Sequence, residues 1–288
     1  MKKIILIFAC IAMACIAMLA QNNHTKITIN DPKAVLADKL NTEAMDAFNM
    51  GEYDEAIKLG IKAVAASKDA YGEHGDDYAV ALNNLSLYYS EVGDYASAII
   101  YGNQALDIKK ETVTMEDPNI APFLSNLATC YYGLGDYQKA IDYETLAATV
   151  LEQQKGGKDV EFQTSVTKLA QMYGKAGNTE KAIYYGKIAA ERRKKSQGKN
   201  HPDYAKALNA LANYYNQAGD YQNALKSAED AAKIFKKAEG EISYDHIMVL
   251  SNMAVFYHNA GMKDKAQELY EKVKELRAKA EAEIKVAP

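Results

Sequence analysis

The sequence predicts an all-α protein built as a solenoid of six helix-turn-helix units, and three observations predict it. Glycine recurs at Gly51, Gly93, Gly135, Gly177, Gly219 and Gly261, each 42 residues after the last. The phrase around it recurs as well: LNNLSLYYSEVGDYASAI from Leu82, LSNLATCYYGLGDYQKAI from Leu124 and LNALANYYNQAGDYQNAL from Leu208. Self-similarity at a fixed period of this size marks units that bury their apolar faces on one another. The composition agrees, because 48% hydrophobic and 25% charged residues suit a folded chain, and only 17 Gly and 5 Pro in 288 residues leave long stretches free for helix.

The first twenty residues, MKKIILIFACIAMACIAMLA, join Lys2 and Lys3 to an apolar run and a small residue at Ala20. That order predicts an export signal over residues 1–20, cut after Ala20. Two alternatives also export the chain: an uncleaved anchor, since the run approaches the length of a membrane span, and a lipoprotein attached through Cys15, which follows Ala12, Met13 and Ala14. With Cys10 and Cys15 in the signal, the mature chain keeps only Cys130 and forms no internal disulfide. Without Lys2 and Lys3 it carries 32 basic against 38 acidic residues, a net charge of −6. Nucleic acid is thereby excluded as an expected partner, since phosphate binding needs a strong basic face.

Residues 21–36 lead into the first helix, and the units then span 37–78, 79–120, 121–162, 163–204, 205–246 and 247–288. Numbering positions from the start of each unit, the first helix begins near Asp76 and Asp77, Pro118 and Asn119, or Pro202 and Asp203. Short polar side chains there cap free N–H groups, and Pro suits a first turn. Gly-Asp-Tyr, at Gly93, Gly135 and Gly219, ends the helix and lets Asp cap the second one. Basic residues at the far end of the second helix, among them Lys109, Lys110 and Arg192 to Lys195, favour the negative end of the helix dipole.

At 100° per residue, positions 4 and 7 fall on one apolar arc. Position 4 holds Leu82, Leu124, Val166, Leu208 and Leu250; position 7 holds Leu85, Leu127, Leu169, Leu211 and Met253. Cys130 shares position 10 with Tyr88, Met172, Tyr214 and Phe256, which predicts a buried, inert thiol.

Small residues at position 8 (Ser86, Ala128, Ala170), Tyr at position 11 (Tyr89, Tyr131, Tyr173) and Ala at positions 20 (Ala98, Ala140, Ala182) and 27 (Ala105, Ala147, Ala189) resemble the tetratricopeptide repeat. The 42-residue period, with HPDYAKALNALANYY at His201 to Tyr215, is similar to the longer units of kinesin light chains and many bacterial proteins. The resemblance implies a right-handed superhelix whose groove binds a protein or peptide. It does not imply a task. Glu43 in unit one, and Gln267 and Lys274 in unit six, replace apolar or small residues and predict polar capping units of a complete array. Unit four departs from Gly-Asp-Tyr with Gly177, Asn178 and Thr179 and follows Lys-Gly-Gly-Lys at Lys155 to Lys158, which places the expected bend there.

Stacked in that manner, the other arc of the first helix lines the groove with amides and hydroxyls. Position 5 reads Asn41, Asn83, Ser125, Thr167, Asn209 and Ser251, and position 6 includes Asn84, Asn126, Lys168 and Asn252. These amides either hold a peptide backbone or bond between repeats. Lys168, Lys175 and Lys206, with Gln171, Asn209 and Asn213 among them, form an expected acceptor for an acidic side chain or a chain terminus. The five histidines show no metal-ligand spacing, and no phosphate-binding glycine loop or nucleophile elbow is written in the chain. The expectation is a non-enzymatic envelope adaptor with no cofactor or metal. A structural protein that assembles with copies of itself is the alternative.

Overall fold

The computed structural model of the chain describes residues 31–155 and 160–286. The export segment, Cys15 and the Gly156 to Lys158 part of the expected bend lie outside the described residues. Among the described residues there are twelve α-helices, arranged as six hairpins. Unit one pairs α1 (Pro32–Asn49) with α2 (Tyr53–Tyr71), and unit two pairs α3 (Asp76–Glu91) with α4 (Tyr95–Thr112). In unit three a 3-10 turn (Pro118–Ile120) precedes α5 (Ala121–Leu134) and α6 (Tyr137–Lys155). Units four, five and six follow as α7 (Val160–Lys175) with α8 (Thr179–Gln197), α9 (Pro202–Gln217) with α10 (Tyr221–Glu239), and α11 (Tyr244–Asn259) with α12 (Lys263–Val286). Each helix packs on the next in the chain, and the first helices α1, α3 and α5, like α9 and α11, also touch each other. First helices thus meet side by side over units one to three and again over units five and six.

The turn between the helices of a unit follows from its residues. All six repeat glycines take positive φ, between 76° and 90°, a conformation that costs a side chain with Cβ about 1 kcal/mol or more. Asp94, Asp136 and Asp220 then each accept a hydrogen bond from the backbone N–H three residues on. Asn178 makes the same bond to the Lys181 N–H at 3.1 Å. Unit four therefore keeps the turn geometry despite its altered wording, because an Asn oxygen caps as well as an Asp one.

The predicted core is the observed core. Leu82, Leu124, Val166, Leu208 and Leu250 are buried, as are Leu85, Leu127, Leu169, Leu211 and Met253. The alanines Ala98, Ala140, Ala182, Ala224 and Ala266 are closed off at the centre of the hairpins, where only a methyl fits between the helices. Three stacked tyrosine pairs, Tyr89–Tyr101, Tyr131–Tyr143 and Tyr173–Tyr185, repeat at ring separations of 5.5 to 5.6 Å. Lys139 and Lys181 lie 5.0 Å over Tyr131 and Tyr173, covering them with a cation. Cys130 is buried, its Sγ 3.7 Å from the Ser86 hydroxyl, and burial pushes its thiol pKa up, away from the reactive thiolate.

Two helix ends carry further side-chain contacts. The cap of α3 is Gly75, without a side-chain bond, and Asp76 instead receives the Lys109 ammonium at 2.7 and 2.8 Å. Lys109 is buried and ties the end of α4 to the start of α3 in its own unit, so it is an internal ion pair rather than a solvated helix end. The start of α9 is capped by His201, whose Nδ1 accepts the Asp203 N–H at 3.1 Å, which gives this histidine the turn role its position suggests.

Candidate functional site

The first helices place positions 5 and 6 of adjacent units against each other, one residue out of phase. Asn84 Nδ2 donates to Asn41 Oδ1, Asn126 Nδ2 to Asn83 Oδ1, and Asn252 Nδ2 to Asn209 Oδ1, each at 3.1 Å and each across 43 residues. Asn259 repeats the step to Asn216 at 3.0 Å. These bonds stitch one unit to the next, so a first N–H of each donor amide serves the fold. The second N–H and the oxygen of that amide are not used by the ladder.

The ladder changes on both sides of unit four. Between units three and four, Lys168 replaces the amide, and its Nζ donates to Ser125 Oγ at 2.8 Å and Thr129 Oγ1 at 3.1 Å. Between units four and five, position 6 is Ala210, and the opposite Thr167 hydroxyl bonds back to Gln163 O in its own helix.

The residues singled out in the sequence therefore fall into two groups. Asn84, Asn126, Lys168, Asn209 and Asn252 are half-buried or buried and bonded between units, while Asn213 bonds to Asn209 O at 3.0 Å. Gln171 and Lys175 are exposed along α7. Lys206 is exposed and lies 3.5 Å from Asp245 Oδ2. The three lysines are not brought into one cluster: Lys206 begins its helix and Lys175 ends its own, a difference of eleven positions, or about 16 Å of helix.

One residue escaped the sequence reading. Glu144 is completely buried, and its Oε2 accepts the Ser125 hydroxyl at 2.9 Å. Burial raises its carboxyl pKa, while Lys168 and the hydroxyls of Ser165 and Ser125 pull it down by a smaller amount. The signal was present in the repeat: position 24 is Gly60, Gly102, Gly186 and Ala228 in units one, two, four and five and Tyr270 in unit six, and a carboxylate only in unit three.

Two tetratricopeptide repeat descriptions match the chain, one over residues 35–111 and 162–237 and the other over 249–279. The chain belongs to the tetratricopeptide repeat family. None of the curated proteins matches it. Among solved structures, a putative kinesin light chain with TPR-like repeats from Podosopora anserina is 22% identical, with a TM-score of 0.64 over 69% of this chain and 95% of that one. BtubC from P. vanneervenii is 20% identical, with a TM-score of 0.63 over 90% and 95%. A Rap protein complexed with Competence and Sporulation Factor is 16% identical, with a TM-score of 0.54 over 89% and 79%. At these identities the three share the tetratricopeptide fold with this chain.

The first helices carry the amide ladder along one side of the array. Among its described residues, no group of three or more His, Cys, Asp and Glu is placed to hold a metal ion, and no helix is long and apolar enough to cross a membrane.

Proposed function

We propose that this chain is a non-enzymatic adaptor of the cell envelope that holds a peptide, or an extended segment of a protein, along the face of its first helices. The observation that carries the reading is the amide ladder. It fixes Asn84, Asn126 and Asn252 in one orientation by their bonds to the preceding unit, so their remaining N–H and C=O groups are ordered before a ligand arrives. Preorganised donors and acceptors in a row suit a peptide backbone, whose own groups repeat along its length. The Rap protein of the same fold is seen with a bound factor, which supports this use of the architecture. Gln171, Lys175 and Lys206 extend the face toward units four and five, where the exposed ammonium groups favour an acidic side chain or chain terminus. Residues 1–20 deliver the chain to the envelope, whether they are removed after Ala20, retained as an anchor, or cut ahead of Cys15 so that its thiol carries a lipid.

Affinity capture from an envelope extract tests the reading, with wild type beside a Lys175→Glu, Lys206→Glu variant. Wild type should retain a partner, and the folded variant should hold it at least about tenfold more weakly, a difference of about 1.4 kcal/mol. Equal retention would remove the acidic contact, and no retention by either bait would remove the adaptor. Self-assembly has one observation in its favour: Met50, Val92 and Leu134 are exposed at the same position of three consecutive units. Capture of a second copy alone would select that reading.

A further inference from the structure

The turns between the two helices of a unit are not alike along the array. Position 14, the last residue before the repeat glycine, is Met50, Val92 and Leu134 in units one to three, and all three side chains are exposed. In units four to six it is Ala176, Ala218 and Ala260. Position 17 divides in a similar way, with Tyr53, Tyr95 and Tyr137 in the first three units and Thr179, Tyr221 and Lys263 in the others. Because α1, α3 and α5 touch side by side, and packed helices lie about 8–10 Å apart, the three apolar side chains make a strip roughly 20 Å long. A single exposed apolar residue, such as Met262 at the turn of unit six, needs no explanation, whereas a row repeated in register does.

We infer that this strip rests on the surface of a lipid bilayer, with the first helices of units one to three standing turn-down on it. The inference rests on the envelope reading of residues 1–20, and of their three fates it selects the two that keep the chain at the membrane, a retained anchor or a lipid on Cys15. The strip lies in the half of the array nearest that attachment. Reach allows the contact: the turn of unit one is one helix from Pro32, 18 residues or about 27 Å, while residues 21–31 span up to about 36 Å when extended.

Charge separates the bilayer from a second copy as the occupant. Glu52, Asp54, Glu91 and Asp94 are exposed around the strip, and the nearby Lys58 and Lys139 are already paired with Glu55 and Asp136. Two such strips face to face would set carboxylates against carboxylates. Zwitterionic headgroups instead offer ammonium groups to the acidic rim while Met50, Val92 and Leu134 enter the boundary beneath them. Positions 5 and 6 lie eight or nine residues from position 14, so the amide ladder stands about 13 Å above the headgroups and holds its segment close to the membrane.

The full chain, reconstituted in phosphatidylcholine vesicles, tests this with an environment-sensitive fluorescent amino acid at Ala96 or at Gln222, the same exposed position of units two and five. Nitroxide-bearing lipids should quench the label at 96 and leave the label at 222 bright. Met50→Ser, Val92→Ser and Leu134→Ser together, all at exposed sites, should abolish the quenching at 96, and phosphatidylglycerol added to the vesicles should weaken it. Equal quenching at both labels, none at 96, quenching that survives the three serines, or a gain with phosphatidylglycerol would overturn the inference. A spectral shift at 96 that follows protein concentration without lipid quenching would also overturn it and assign the strip to a second copy. The groove reading is tested apart from these results, because partner capture and its dependence on Lys175 and Lys206 are measured without vesicles.

Discussion

Alanine in place of Leu127 should lower the free energy of unfolding by about 2 to 5 kcal/mol, measured as a shift of the urea midpoint without loss of helicity in the native baseline. Leu127 is completely buried at the joint of units two and three and belongs to the core that runs through units two to four. Its Cδ2 would lie 2.9 Å from a Cβ on Gly102, so the joint is closed from both sides and has little room to collapse into the space left by alanine. A solenoid transmits this loss along the stack, since each unit is stabilised mainly by its neighbours. An unfolding midpoint within error of wild type would mean that the joint repacks, and the jigsaw account of it would be wrong.

Valine in place of Gly102 attacks the same joint from the other helix. The added Cβ would sit 2.9 Å from both Leu127 Cδ2 and Ser86 Oγ. Ser86 cannot easily retreat, because its hydroxyl donates to Ala98 O at 2.7 Å and is buried. Removing a helical glycine gains about 0.5–1 kcal/mol, whereas overpacking costs about 1–3 kcal/mol, so the clash should win and the midpoint should fall. The two positions touch and therefore should not be additive. Leu127→Ala makes space for a side chain at 102, so Gly102→Val should cost less in that background than in wild type. Additive losses would show that the clash is relieved elsewhere.

The sequence made the fold legible because repetition converts single residues into columns. Six glycines at one spacing set the hairpin turns, and Leu82 with its counterparts set the buried arc; neither needed a view of the structure. The small residue at position 24 could have been read in the same way, as the place where helices of successive units come closest. Glu144 then stands out as the exception, yet whether it was exposed or enclosed depended on how far α6 and α7 lie apart, which a column does not record.

The groove was harder to read for a related reason. Asparagines in positions 5 and 6 declare a polar face, but the bond from Asn84 to Asn41 spans one full period plus one residue, a phase set by the offset between stacked helices. Side-chain pairing across that offset decides which amides are already engaged. Lys109 illustrates the same limit, since charge at a helix end looks solvated in sequence and here closes on Asp76 at 2.7 Å. Lys168, Lys175 and Lys206 could have been separated from their positions alone, because positions 2 and 13 lie at opposite ends of a first helix.

Hydrogen exchange on the complex with the captured partner tests the central claim most directly, because backbone protection reports which helices the ligand covers. Binding along the first helices predicts added protection in α3, α5, α7 and α9, with α4, α6 and α8 little changed. Protection confined to those second helices, or to the turns around Met50, Val92 and Leu134, would contradict the account and move the binding surface off the amide face.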